Sequence, residues 1–162
     1  MTFEVTQIGT VRNDFETPVG PEEMADHEST IVIDEEYTEG LYRIADNDYV
    51  TVLWYLHESG EPSLRGPRRY GTERGIFACR SPNRPSPIGT TTVELLDREG
   101  RELRVHGLDA IDGTPVLDIK PYAPNFDRPD HVADRRENHG GRIEGPSADR
   151  DGRAREVGGD EQ

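Results

Sequence analysis

The longest apolar run in the chain is YVTVLWYLH, from Tyr49 to His57. It predicts the strongest strand, and its near-continuous apolarity predicts cover on both faces. Shorter runs keep the two-residue period of a strand. Phe3 and Val5 alternate and lead into Ile8 and Val11, which predicts a strand over 3–12 with Gly9 as a candidate bulge. TIVID at 30–34 is a β-branched strand, and TTTVELL at 90–96 is another. After a turn at 97–100, residues 103–108 return as the second arm of a hairpin. Asp112-Gly113 marks a tight turn, and residues 115–120 form a strand that begins at proline.

Between these runs the pattern weakens. Residues 13–29 are polar, with Pro18, Gly20 and Pro21, and predict a long loop. Residues 35–44 predict one or two helical turns, with Leu41 and Ile44 at helical spacing. Residues 58–70 are rich in Gly, Pro and Arg and read as loop. Ile76-Phe77-Ala78-Cys79 reads as a short strand that stops at Arg80. The following RSPNRPSPIG carries prolines at 82, 85 and 87, which fix φ and remove backbone donors, so it is a stiff extended loop. From about residue 123 the apolar residues become isolated. The expected fold is all-β: a single-domain barrel over 1–124 with few short helical turns, and a disordered tail over 125–162.

Composition changes the picture in two ways. Only 31% of the 162 residues are hydrophobic and the net charge is −14, values that alone suggest disorder. The bunching of apolar residues into strands argues for a folded core. Every basic residue except Lys120 is arginine. Abundant acid with almost no lysine predicts a halophilic protein, whose surface repulsion is screened by salt. The single cysteine, Cys79, excludes an internal disulfide and a Cys-based zinc site, and no metal is expected. The absence of a leader at Met1 and of a long apolar run predicts a cytoplasmic protein with no membrane span.

Residues 65–84 hold six arginines (65, 68, 69, 74, 80 and 84) and one acid, Glu73. A basic island in an acidic chain points to an anionic partner, and the planar guanidinium suits phosphate. Arginines that pair with the protein's own acids are the competing reading. Arg65, Arg68, Arg69 and Arg84 are the candidate substrate contacts, with Lys120 beside them as the one ammonium retained. Alternation puts Lys120 and Asp118 on one face, so a structural ion pair is equally open. Asp109 and Asp112 flank a turn and can serve as turn-holders or as carboxylates facing a ribose or amino group. A strand-end histidine such as His57 is more often structural, and Cys79 reads as packed rather than nucleophilic. G-x-G-x-x-G, P-loop, G-x-S-x-G and H-E-x-x-H motifs are all missing, which removes the commonest cofactor, nucleotide, hydrolase and zinc-protease readings.

RSPNRPSPIG followed by GLDAIDGTPVLDIKPY resembles the TsaA-like family, also called TrmO. IGTVR, EEYTEGL and YLHES support the resemblance, which runs over residues 3–122. It implies an all-β methyltransferase that uses S-adenosylmethionine to methylate N6 of the threonylcarbamoyl-modified adenosine of tRNA, just 3′ of the anticodon. It also implies a homodimer with cofactor sites near the subunit interface. Carried over by motif, Arg80, Thr90, His57, Glu58, Asp109, Ala110, Ile111, Asp112, Gly113 and Thr114 are implied to form the cofactor site, with Pro115 helping to shape its loop. A general base is not named by the motifs. Asp112, Asp118 and Glu58 are the candidates. The first loop, ETPVGPEEMADHEST, departs from the Pro-Arg-Gln-like or Pro-Ile-Gln-like stretch usual in the family, and the C-terminal extension of longer relatives is not recognisable. The alternative from another class is a non-catalytic nucleotide- or RNA-binding module that uses the arginine island of 65–84.

Overall fold

The computed structural model describes residues 1–68 and 71–128. Arg69, and the tail from 129 onward, lie outside the described residues. Six strands close into a barrel: β1 (Gly9–Arg12), β2 (Glu28–Ile33), β3 (Tyr49–Tyr55), β6 (Ile88–Glu99), β7 (Glu102–His106) and β8 (Pro115–Pro121). Their order around the barrel is β1-β2-β7-β6-β3-β8, and β8 returns to pair with β1. Every pairing is antiparallel. Two further strands, β4 (Arg65–Pro67) and β5 (Glu73–Gly75), form a separate hairpin.

Register explains the core. Val11 faces Ile31, Ile31 faces Leu103, and Val50 faces Val93 across neighbouring strands. All of these side chains are buried. The two-residue period therefore sends one set of apolar residues into the barrel from every strand. Two irregularities bend the wall, one between Leu53 and Trp54 and one between Leu95 and Asp97. Bulges of this kind raise local twist, which a small closed barrel requires. At the other end of β8, Gly113 adopts φ +76° in the turn after Asp112, a conformation that favours glycine.

Several expectations need correction. β1 begins at Gly9, and Phe3 and Val5 are exposed beyond it. Gly9 is not bulged: it pairs in register with Ile33 and Val116. β3 is buried on one face only, because Thr51 and Leu53 point outward and stay half-exposed. The long first loop contains a short helix, α1 (Pro21–Ala25), whose Met24 is buried. The loop over 58–70 contains β4. Ile76–Ala78 is a 3-10 turn rather than a strand, because only Ile76 is buried and the chain bends back through a Cys79 N–H···O=C Ile76 bond of 3.4 Å. The turn expected at 97–100 falls later, because β6 continues to Glu99 before Gly100 turns the chain at φ +60°. Helical turns do form at Glu35–Leu41 and Ile44–Asp46, both 3-10. A short helix, α2 (Pro124–Asp127), follows β8. Among the described residues no helix is long and apolar enough to cross a membrane.

Candidate functional site

One end of the barrel opens into a cavity of about 540 Å³. Pockets of 300–1,000 Å³ enclose most of a small organic ligand. Its walls come from segments far apart in sequence. The end of β3 supplies Trp54 and leads into Leu56, His57, Glu58 and Ser59. The start of β6 supplies Ile88, Gly89 and Thr90. The segment between β7 and β8 gives Asp109, Ala110, Ile111 and Thr114. The stiff loop and the 3-10 turn before it give Phe77, Cys79, Arg80, Pro82 and Arg84. Pro18 and Val19 of the first loop and Met24 of α1 complete the rim.

Trp54 forms the floor. Its indole packs against Gly89, its register partner, so closely that an added Cβ would overlap the ring. No other residue fits there without moving the indole. Ala110, Ile111 and Thr114 are buried beside it. The buried part of the lining is thus apolar apart from Thr114, and the charged side chains stand in its more exposed part.

The mouth is braced by hydrogen bonds to the main chain. Arg80 Nη2 donates to the Thr90 carbonyl. Arg84 Nη1 donates to the carbonyls of Cys79 and Ser81, both at 3.1 Å. Asn83 Oδ1 accepts from Gly60 N–H at 2.9 Å, which ties the stiff loop to the segment after His57. On the opposite side Asn13 acts as a clamp. Its Nδ2 donates to Ser29 Oγ at 3.0 Å and to the Ala110 carbonyl at 2.8 Å, while its Oδ1 accepts from Phe15 N–H at 3.0 Å. The Phe15 ring packs edge-on against His27, 4.7 Å between centroids. The first loop is therefore fastened to the segment that carries Ala110 and Ile111.

Eight of the ten residues implied for the cofactor share this cavity: His57, Glu58, Arg80, Thr90, Asp109, Ala110, Ile111 and Thr114. Asp112 and Gly113 stand outside its lining. Asp112 Oδ1 accepts from Asn13 N–H at 3.0 Å, and its own N–H donates to the Phe15 carbonyl at 2.8 Å, so it holds the turn. Of the three candidate bases only Glu58 lines the cavity. Asp118 sits on β8 and pairs with Lys120, Oδ2 to Nζ 2.7 Å, and this hydrogen-bonded carboxylate raises Lys120 above the usual ammonium range.

The arginine island is dispersed. Arg84 lines the cavity, but Arg65 pairs with Glu73 across the β4–β5 hairpin at 2.6 Å. Arg68 Nη2 donates to the Ser63 carbonyl at 2.8 Å. Among the described residues no cluster of three or more His, Cys, Asp or Glu side chains is arranged to hold a metal ion. Sequence reasoning missed Trp54, Phe77, Met24 and the first-loop pair Pro18 and Val19 as cavity residues. Trp54 and Met24 looked like ordinary apolar positions, and only barrel closure brings them to one opening.

The family profile for the N-terminal domain of tRNA-methyltransferase O matches residues 9–128. An S-adenosyl-L-methionine-binding protein of Archaeoglobus fulgidus is 41% identical over 124 residues, 74% of this chain and 89% of that protein. The tRNA (adenine(37)-N6)-methyltransferase of Escherichia coli is 32% identical over 138 residues, 76% of this chain and 59% of that enzyme. A crystal structure of TrmO superposes with a TM-score of 0.65 at 32% identity, covering 79% of this chain and 61% of that one. The chain therefore spans less than two thirds of both the E. coli enzyme and the solved TrmO chain, and 36% of a second A. fulgidus relative. With the profile matched from β1 through α2, the chain belongs to the family of the tRNA-methyltransferase O N-terminal domain.

Proposed function

We propose that the chain is an S-adenosylmethionine-dependent tRNA methyltransferase that acts on N6 of the threonylcarbamoyl-adenosine next to the anticodon. The observation that carries this reading is the sharing of one 540 Å³ cavity by His57, Glu58, Arg80, Thr90 and residues 109–111. The donor set fits the cofactor's chemistry. The buried apolar surface of Trp54, Ala110 and Ile111 suits a purine, and Arg80 and His57 stand at the mouth for its charged end. When bound, the cofactor supplies an electrophilic methyl group on a sulfonium.

The chain's own residues do the remaining work. Methyl transfer is an in-line displacement, so alignment of the acceptor by a rigid cavity is most of the catalysis. The braced loop of Arg80 and Arg84 loses little entropy when an acceptor docks. The N6 of a urea-like adenosine is a weak nucleophile and must lose its proton as the bond forms. Of the three candidate bases, Glu58 is the one at the cavity to take that proton.

A homodimer would cover the outer face of β3 and β6, where Tyr55 faces Ile88 and both are exposed. The acidic, lysine-poor composition supports a cytoplasm of high salt. The test of activity is incubation with methyl-labelled S-adenosylmethionine and native tRNA in multimolar potassium chloride. Label in tRNA is the expected result. Cofactor binding without any label transfer would leave a binding module instead.

A further inference from the structure

Phe77 is anomalous. It sits in the 3-10 turn between a buried Ile76 and the cavity residue Cys79, and it is 83% exposed. A phenyl ring left in water forgoes the stabilisation that burial would give it. The turn that carries the ring is nevertheless fixed in place. Ile76 anchors the turn in the protein, Cys79 N–H closes it, and Arg84 braces its far side through the Cys79 and Ser81 carbonyls. The only aromatic pair among the described residues is Phe15 with His27, so none of the described rings stacks on Phe77.

The turn carries charge beside the ring. Arg80 and Arg84 line the same cavity, and both donate to main-chain carbonyls rather than closing one of the ion pairs seen among the described residues. In a chain of net charge −14, an exposed aromatic ring flanked by two such guanidiniums suits a nucleic acid. Stacking on an aromatic face is how proteins hold bases splayed out of single-stranded loops, while arginines take the phosphates.

We propose that Phe77 is the stacking platform for the acceptor adenine of the tRNA, which makes it a substrate-binding residue of the reaction. The inference rests on the proposed activity. A purine could come from two sources, the cofactor or the acceptor, and position decides between them. A bound cofactor is enclosed, and the enclosed part of this cavity is formed by Trp54, Ala110, Ile111 and Thr114. Phe77 lies at the open rim, where a base entering from outside arrives.

The test measures methyl transfer to native tRNA by the full chain and by Phe77→Ala, Phe77→Leu and Phe77→Trp, with cofactor affinity followed by calorimetry. Phe77→Ala should raise the KM for tRNA about 5- to 150-fold. Phe77→Leu should fall with it, because it is apolar but cannot stack, and Phe77→Trp should restore the wild-type KM. Cofactor affinity should stay unchanged in all three. A wild-type KM in Phe77→Ala or Phe77→Leu overturns the proposal. So does an equal loss of cofactor affinity, which would make Phe77 a cofactor wall, or conversion of a wild-type dimer to a monomer in sedimentation, which would make it a dimer contact. If the wild-type chain transfers no methyl group, the proposed activity fails separately, and the variants are then ranked by tRNA affinity in fluorescence anisotropy. The same order supports the platform, and equal affinities refute it.

Discussion

Arg80 follows Cys79, the residue that caps the 3-10 turn, and is exposed, so its side chain contributes little packing. Its guanidinium is aimed by the Thr90 carbonyl toward the cavity mouth. Arg80→Ala should therefore leave the melting temperature near wild type and weaken S-adenosylmethionine by about 1.5–3 kcal/mol, the range for a hydrogen bond to a charged group. Calorimetry on the folded variant checks this, and unchanged affinity would remove Arg80 from the site. At this scale the sequence was most informative where residue type is scarce. Lys120 stood out as the single lysine, and it closes an ion pair with Asp118 on an exposed face. Asp112 was legible as a turn former, but its bond to the Asn13 amide was not, since those residues lie far apart in the chain. Trp54 and Phe77 carried no signal of their own. One looked like core and the other like an interior strand position.

Strands with a clear two-residue period were readable as elements. β3, β7 and β8 lie close to where the apolar runs and turn signals place them, and the Asp112-Gly113 turn sits at its expected place. Short elements were not readable. β4 and β5 have three residues each and are held by an Arg65–Glu73 pair rather than by apolar faces, so no periodicity marks them. The Ile76–Ala78 run is apolar in composition, yet only its first residue has anything to pack against. At the element scale the sharpest dependence is the close approach of β6 to the Trp54 indole. Gly89→Ala puts a methyl group inside that ring's contact distance. Overpacking of this kind costs about 1–3 kcal/mol. The variant should lower both the melting temperature and cofactor affinity, because the displaced indole is the cavity floor. A melting curve and a binding isotherm that both match wild type would show that β6 and Trp54 can separate freely.

For the whole molecule, closure creates the site. β1 pairs with β2 on one side and β8 on the other, which brings the first loop against the segment before β8. That long-range pairing leaves no trace in local pattern, so the barrel was expected from strand count and from resemblance, and its cavity from resemblance alone. The same scale governs salt dependence. The ion pairs among the described residues, such as Arg43–Asp46 at 2.6 Å and Arg12–Glu102 at 3.5 Å, are exposed and individually worth little. They do not offset a net charge of −14, so screening of acid–acid repulsion should dominate. The melting temperature should rise from low to multimolar potassium chloride, and a flat or falling trend would refute the high-salt reading.

The central claim concerns the acceptor, and one comparison tests it most directly. A pocket that pairs a substrate's carboxylate and hydroxyl leaves its own polar groups unpaired when they are missing, which can discriminate by about 10⁴-fold. Native tRNA carrying the threonylcarbamoyl group and an unmodified transcript of the same tRNA are each incubated with the protein and S-adenosylmethionine at high salt. Nucleoside mass spectrometry then locates the methyl group. The account predicts N6-methylated threonylcarbamoyl-adenosine in the native tRNA and essentially no product in the transcript. Equal methylation of both, or a methyl group on any other nucleoside, would contradict it.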